Sequence, residues 1–196
     1  MQADPRWQVS LVNRPGQFVK QTSQANSMSF ITLSLGSNQQ PKRYLTLALD
    51  ALSEHFGELT LSPVYESEAV GFDGDNFLNM VVALQSDMPL WCIRDVLKAI
   101  EDQNGRDRSQ KRFSGRTLDI DILTCDDLSG EFDGVVLPRP EITENAFVLK
   151  PLADICPLQL DPVSGKSYAT LWQQYDRPQR LWPIEFHWHD QALSGR

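Results

Sequence analysis

The chain has 196 residues, with 18 Lys and Arg against 26 Asp and Glu, a formal net charge of −8. That length suits one domain with a flexible end and is ample for a sizeable core. The acidic balance argues against a non-specific nucleic-acid coat, and no apolar run approaches the ~18 residues that span a bilayer. The start of the chain lacks the charged and apolar regions of a secretory signal. Cys92, Cys125 and Cys156 lie far apart with no CxxC spacing. They predict reduced, mostly buried thiols in a cytoplasmic protein.

Residues 1–27 mix Gln, Asn, Ser, Pro and charges without apolar periodicity, which predicts a disordered leader. The folded domain is expected over 28–176, and 177–196 is a Trp-rich extension whose structure the pattern does not decide. The first strand starts after Met28: Phe30, Thr32 and Ser34 alternate with Ile31, Leu33 and Leu35. Gly36-Ser37-Asn38 ends it. Beyond Pro41, Leu45, Ala48, Leu49, Leu52 and Phe56 make one helical stripe. A strand is expected over 58–67, then a turn-rich loop around Gly71 and Gly74, then a strong strand from Phe77 to Leu84. Asp87-Met88-Pro89 reads as a helix start with Pro in first position, and Leu90, Ile93, Leu97 and Ile100 supply the stripe. Leu118 to Leu123 alternates strictly and reads as a strand.

The order is strand, helix, strand, strand, helix, strand. It predicts an α+β fold with a ferredoxin-like split βαβ core, an antiparallel sheet with helices on one face, and an open active-site face. A short strand at Val135-Val136-Leu137, a helix over 144–152 and a loop over 157–168 should follow.

Parity then constrains chemistry. If Leu118, Ile120 and Ile122 meet the helices, Asp119 and Asp121 stand together on the open face. Alternating acids also suit an ordinary solvated strand, but an adjacent carboxylate pair calls for a hard divalent cation. In the Phe77 strand, Leu78, Met80, Val82 and Leu84 form the apolar set, so Phe77 and Asn79 share the face of the aspartates. Just upstream, the window 106–116 holds five cations, Arg106, Arg108, Lys111, Arg112 and Arg116, where the chain averages about one in eleven. By itself such a window also fits a solvated basic loop. Next to a carboxylate pair, it suits polyphosphate with magnesium. Asn79 can read an amide-like heterocycle edge, and Phe77 and Phe147 could flank a flat ring or simply belong to the core.

Gly36-Ser37-Asn38, Phe77-Leu78-Asn79, Arg116-Thr117-Leu118-Asp119-Ile120-Asp121-Ile122, Leu137-Pro138-Arg139-Pro140 and Ala146-Phe147-Val148-Leu149 occur in an order that resembles the 6-hydroxymethyl-7,8-dihydropterin pyrophosphokinase family of folate synthesis. The resemblance covers roughly residues 29–175 and implies transfer of pyrophosphate from ATP to the pterin hydroxymethyl group, with release of AMP. It implies that Asp119 and Asp121 hold two Mg2+ ions, and that Asn79 reads the pterin between Phe77 and Phe147 beside Ser67 and Val70. Arg106 and Arg116 are implied as catalytic phosphate ligands. Glu101, Arg108, Arg112, Ile122 and Arg139 are implied on the nucleotide side. The expected partners are these small molecules alone, with no nucleic acid and no membrane, acting on a monomer.

The chain also departs from the family pattern. Phe113-Ser114-Gly115 replaces the usual Trp-Gly-Pro, Arg139 replaces a nucleotide-side histidine, and Asn145 replaces a phosphate-side arginine. A loop loosened at Gly115 is expected to close as a lid over ATP. A pterin-binding paralogue with weak or altered transfer, and a non-enzymatic ferredoxin-like binding module, are the alternatives. Ser164-Gly165-Lys166-Ser167 looks like the end of a phosphate-binding loop, but Leu160 stands where that motif needs Gly, so a turn is expected. His187 and His189 read as a tail rather than a metal site, and Trp172, Trp182 and Trp188 as ordinary packing.

Overall fold

The alternating run after Met28 forms strand β1 (Ser29–Ser37), the strand next to one edge of a six-stranded sheet among the described residues. This computed structural model describes residues 28–71, 74–105 and 117–193. Helix α1 (Pro41–Phe56) opens on its proline and buries Leu45, Ala48, Leu49 and Leu52, the expected stripe. It stops at Gly57, whose φ of 78° suits a residue without Cβ.

The strand expected over 58–67 is broken into β2 (Thr60–Leu61) and β3 (Tyr65–Ser67). The cause is local. Pro63 has no N–H for the ladder, and buried Ser62 instead accepts the Val81 N–H on its Oγ at 2.9 Å. Strand β4 (Phe77–Ser86) follows, then α2 (Leu90–Gln103), in which Pro89 caps the helix rather than starting it. Strand β5 (Asp119–Cys125) completes the split βαβ unit.

The sheet order is β5-β1-β4-β3, with β2 also paired to β4, and every pairing is antiparallel. Between β1 and β5 the register slips: Thr32 faces Thr124 and Leu33 faces Ile122, so Leu123 is an extra residue. That bulge lets Ile122 and Cys125 both join the helix-side core while Leu123 points to the other face.

After the hairpin of β6 (Gly130–Phe132) and β7 (Val135–Leu137), the helix expected over 144–152 starts two residues later and follows a short helix that the pattern did not indicate. The short helix is α3 (Glu141–Glu144) and the expected one is α4 (Ala146–Ile155), parted by extended Asn145. The segment 157–168 is turns, and α5 (Tyr168–Gln173) starts where Ser167 Oγ accepts the Thr170 N–H. The Ser164–Gly165 stretch is a turn as expected, with Gly165 at φ 68°.

Two cores flank the sheet. Leu33, Leu35, Met80, Val82, Ile120 and Ile122 pack against α1 and α2. On the reverse face Val81 and Leu123 pack with Val148, Leu149, Leu152 and Tyr168. So the partly open face carries α4 and α5 over one end, because Val81 and Leu123 make that end apolar. The other end holds Asp119 and Asp121 and is only partly buried among the described residues.

The Trp-rich end returns to the fold. Strand β8 (Leu181–Pro183) adds to the sheet beside β3, and β9 (His187–Trp188) and β10 (Gln191–Ala192) form a hairpin. Trp188 Nε1 donates to Asp50 Oδ1 at 2.8 Å and Trp182 Nε1 to Glu66 Oε2 at 3.2 Å, so both indoles are anchored in packing. Among the described residues no helix is long and apolar enough to cross a membrane.

Candidate active site

Cross-strand register lines up the polar residues of the reverse face. Asp119 on β5 faces Gly36 on β1, Gly36 faces Asn79 on β4, and Asn79 faces Tyr65 on β3. Asp121 faces Ser34 in the next row, and Phe77 faces Ser67. Two strand spacings, about 10 Å, thus separate the backbone of the carboxylate strand from that of the asparagine strand. Gly36 puts no side chain into the gap, where a Cβ would just reach contact with Asn79 Oδ1 at 3.4 Å.

Asn79 is only 4% exposed, and its amide donates to Ser67 Oγ at 3.0 Å. Donation fixes which end of the amide points at the serine and leaves Asn79 Oδ1 on the side of Gly36. Tyr65 lies behind it and donates from its hydroxyl to Asp154 Oδ2 at 2.6 Å. Burial first, and then the Asp154 carboxylate, push the Tyr65 phenol far above its ordinary range, so it stays protonated.

A cavity of about 220 Å3 opens beside this row, lined by residues 67–70, Ala146, Phe147 and residues 178–180. Three of the five residues expected at a pterin, Ser67, Val70 and Phe147, line it. Phe77 and Asn79 lie outside its lining, and Asn79 is joined to it through the Ser67 hydrogen bond.

The carboxylate end contains a cation already. Arg139 Nη2 lies 2.8 Å from Asp121 Oδ1, and Arg139 Nε lies 3.6 Å from Glu141 Oε2, buried without a hydrogen-bond partner. The Arg139 N–H also donates to the Leu123 carbonyl at 2.9 Å, which pins the loop to β5. Asp121 keeps two fifths of its side-chain surface exposed. Among the described residues no third His, Cys, Asp or Glu joins the pair. Two carboxylates on one face fit Mg2+, which takes one or two protein carboxylates and fills its shell with water and phosphate oxygens, and Arg139 competes with such an ion for Asp121.

Two expected nucleotide residues are placed differently from a side-chain contact. Glu101 is buried at the end of α2, and its Oε1 accepts the Ile120 N–H at 2.9 Å, from the strand position between the two aspartates. The Ile122 side chain is buried in the helix-side core, so only its main chain could meet a ligand. Alternate residues of an antiparallel strand direct their main-chain groups to the same side, so Ile122 shares with Ile120 the outer edge of β5. Arg106, Arg108, Lys111, Arg112 and Arg116, with the lid expected around Gly115, lie outside the described residues, as does the leader 1–27.

Sequence reasoning missed Tyr65, Gln179 and Arg180. Tyr65 was recoverable from parity, two residues before Ser67. The other two carry no local signal, since contact across the fold brings them to the cavity.

Residues 32–157 match the sequence profile of the 7,8-dihydro-6-hydroxymethylpterin-pyrophosphokinases. The chain is 34% identical over 135 residues to the 2-amino-4-hydroxy-6-hydroxymethyldihydropteridine pyrophosphokinase of Bacillus subtilis, covering 67% of this chain and 79% of that protein. It is 39% identical over 142 residues to the enzyme of the same name from Porphyromonas gingivalis, covering 66% and 92%. In fold it is similar to the crystal structure of wild-type Plasmodium falciparum HPPK-DHPS, with a TM-score of 0.59 and 15% identity over 78% of this chain. That chain is longer, and this one spans 46% of it. By the profile and by these relatives, the chain belongs to the 7,8-dihydro-6-hydroxymethylpterin-pyrophosphokinase family.

Proposed function

We infer that this chain transfers pyrophosphate from ATP to 6-hydroxymethyl-7,8-dihydropterin in folate biosynthesis, leaving AMP. The observation that carries the reading is the in-register row in which Gly36 separates a carboxylate strand from a buried asparagine. Asn79 orients the heterocycle edge, Phe77 and Phe147 flank the ring, and Ser67 and Val70 complete its surround. Asp119 and Asp121 hold two magnesium ions. When bound, these ions neutralise phosphate charge and shape the triphosphate.

The hydroxymethyl oxygen attacks the β-phosphorus, the oxygen bridging the α- and β-phosphorus leaves on AMP, and the hydroxyl proton goes to solvent. Arg106 and Arg116 hold the transferred group, with Arg108, Arg112 and Arg139 on the nucleotide side. Ile122 meets the nucleotide through its main chain. Glu101 supports the site by holding β5 at Ile120. Positioning supplies much of the rate. The protein works as a monomer, and in the cytoplasm, where thiols such as its three free cysteines stay reduced.

The Arg139–Asp121 pair favours a second reading, a paralogue that binds pterin but transfers pyrophosphate poorly. An AMP-release assay and a pterin titration together separate them. AMP release that requires both magnesium and hydroxymethyl-dihydropterin is the expected result. Pterin binding by calorimetry without AMP release would establish the paralogue, and no pterin binding would remove both.

A further inference from the structure

The family profile ends at residue 157, yet the cavity of Ser67, Val70 and Phe147 takes its remaining wall from Pro178, Gln179 and Arg180. The segment that carries them is tied at both ends. Downstream, β8 pairs with β3 so that Leu181 faces Ser67, which delivers Arg180 to the pocket at a set register. Arg180 Nη1 donates there to Glu68 Oε1 at 2.9 Å. Upstream, three donors converge on the Glu144 carbonyl: Tyr175 hydroxyl at 2.9 Å, Arg177 Nη1 at 3.2 Å and Gln179 Nε2 at 3.2 Å.

The junction they hold is the one that aims Phe147. Helix termini leave N–H groups without intrahelical partners, and Asn145, at the cap of α4, makes no side-chain cap bond of its own. Gln179 supplies the cap from across the fold. Its Oε1 accepts the Ala146 N–H at 2.8 Å, and its Nε2 also donates to Asn145 Oδ1 at 3.3 Å. Phe147 is the next residue. Asn145 stands where the family pattern has an arginine, and here its side chain is engaged by that cap while Arg180 brings a cation to the cavity.

We propose that residues 178–180 are a built wall of the pterin cavity in this chain, with Gln179 the positioning residue that sets Phe147 and Arg180 the cationic rim. The inference rests on the pterin reading of the site given above. It adds a determinant of pterin affinity that lies outside the matched family core.

The test uses the full chain. Hydroxymethyl-dihydropterin and a non-hydrolysable ATP analogue are titrated separately by calorimetry into wild type, Gln179→Ala, Gln179→Glu, Arg180→Ala and Asn79→Ala. Gln179→Ala should weaken pterin about tenfold, the loss expected from broken hydrogen bonds, and leave the ATP analogue unchanged. Gln179→Glu keeps the acceptor for the Ala146 N–H but loses the two donations to Glu144 and Asn145, so it should restore only part of the affinity. Arg180→Ala, which leaves the cap intact, should weaken pterin with no change in melting temperature. Equal weakening of both ligands in Gln179→Ala, with no rescue by glutamate, would show a merely structural role and overturn the proposal. Unchanged pterin affinity in Gln179→Ala and Arg180→Ala, beside a loss in Asn79→Ala, would overturn the wall while leaving the pterin reading standing. Failure of wild type to bind pterin would overturn both.

Discussion

On the face toward α1 and α2, Ile31, Leu33 and Leu35 of β1 are fully buried and meet Met80, Val82 and Ile122 in an apolar layer. On the reverse face the same strand shows Thr32, Ser34 and Gly36. Thr32 exchanges a 2.6 Å hydrogen bond with Thr124, and Gly36 keeps a lane open between Asp119 and Asn79. The first face is sealed along its length. The second is divided, apolar under α4 and polar at the carboxylate end. Because side chains alternate, one strand serves both tasks without compromise, and changes on one face should leave the other nearly untouched.

The comparison breaks most sharply at its extremes. Asp119→Ala and Asp121→Ala should each cut AMP release by roughly a thousandfold, the rate equivalent of several kcal/mol of lost charge stabilisation. Their melting temperatures should stay near wild type, since both residues sit outside the cores. Leu49→Ala should do the reverse, costing about 2–5 kcal/mol of stability while the folded fraction keeps its turnover. A large loss of stability in either aspartate variant would mean that the two faces are coupled.

Gly36→Val probes the lane itself. Its side chain would enter the gap between the carboxylates and Asn79, and kcat/KM should fall about a hundredfold through misplacement of the substrates. Gly36→Ala should cost less, because 3.4 Å from Asn79 Oδ1 is the near edge of ordinary contact. Circular dichroism melts should show both variants folded.

Arg139→His sharpens the polar end. Removing the guanidinium at 2.8 Å from Asp121 frees that carboxylate for a metal ion. Magnesium affinity, read by calorimetry without pterin, should rise about threefold, the scale of a half-exposed ion pair. An unchanged or lower affinity would mean that the pair does not compete with magnesium.

The smallest effect is alkaline. Burial raises the Cys156 thiol from 9.0 to about 11, and it also raises Tyr168 beside it under α4. The folded chain therefore keeps a proton on Cys156 that the unfolded chain releases. Its contribution is complete below pH 9 and is lost as pH climbs toward 11. Melting temperature should fall across that window, and Cys156→Ala should flatten part of the slope.

Much of this was legible locally. Alternation alone put Asp119, Asp121, Phe77 and Asn79 on one face, since parity is a property of each strand's own backbone. The stripes of α1 and α2 were equally plain. The break at Pro63 was less so, because the pattern continued through a residue whose missing N–H ended the ladder. The short α3 before Asn145 escaped notice because four residues, with Ile142 alone buried, make no stripe. Glu101 was correctly placed on α2, but docking of that helix against β5 sends its carboxylate to the Ile120 main chain.

What the sequence determined by itself is therefore everything that repeats with the chain's own period: the split βαβ order, the two faces, and the acidic pair beside a basic window. The tertiary structure alone decided what closes the site. Register across three strands places Gly36 between Asp119 and Asn79, and β8 returns more than a hundred residues later to bring Gln179 and Arg180 beside Ser67. Such contacts depend on the packing of distant segments, and no periodicity within either segment encodes them.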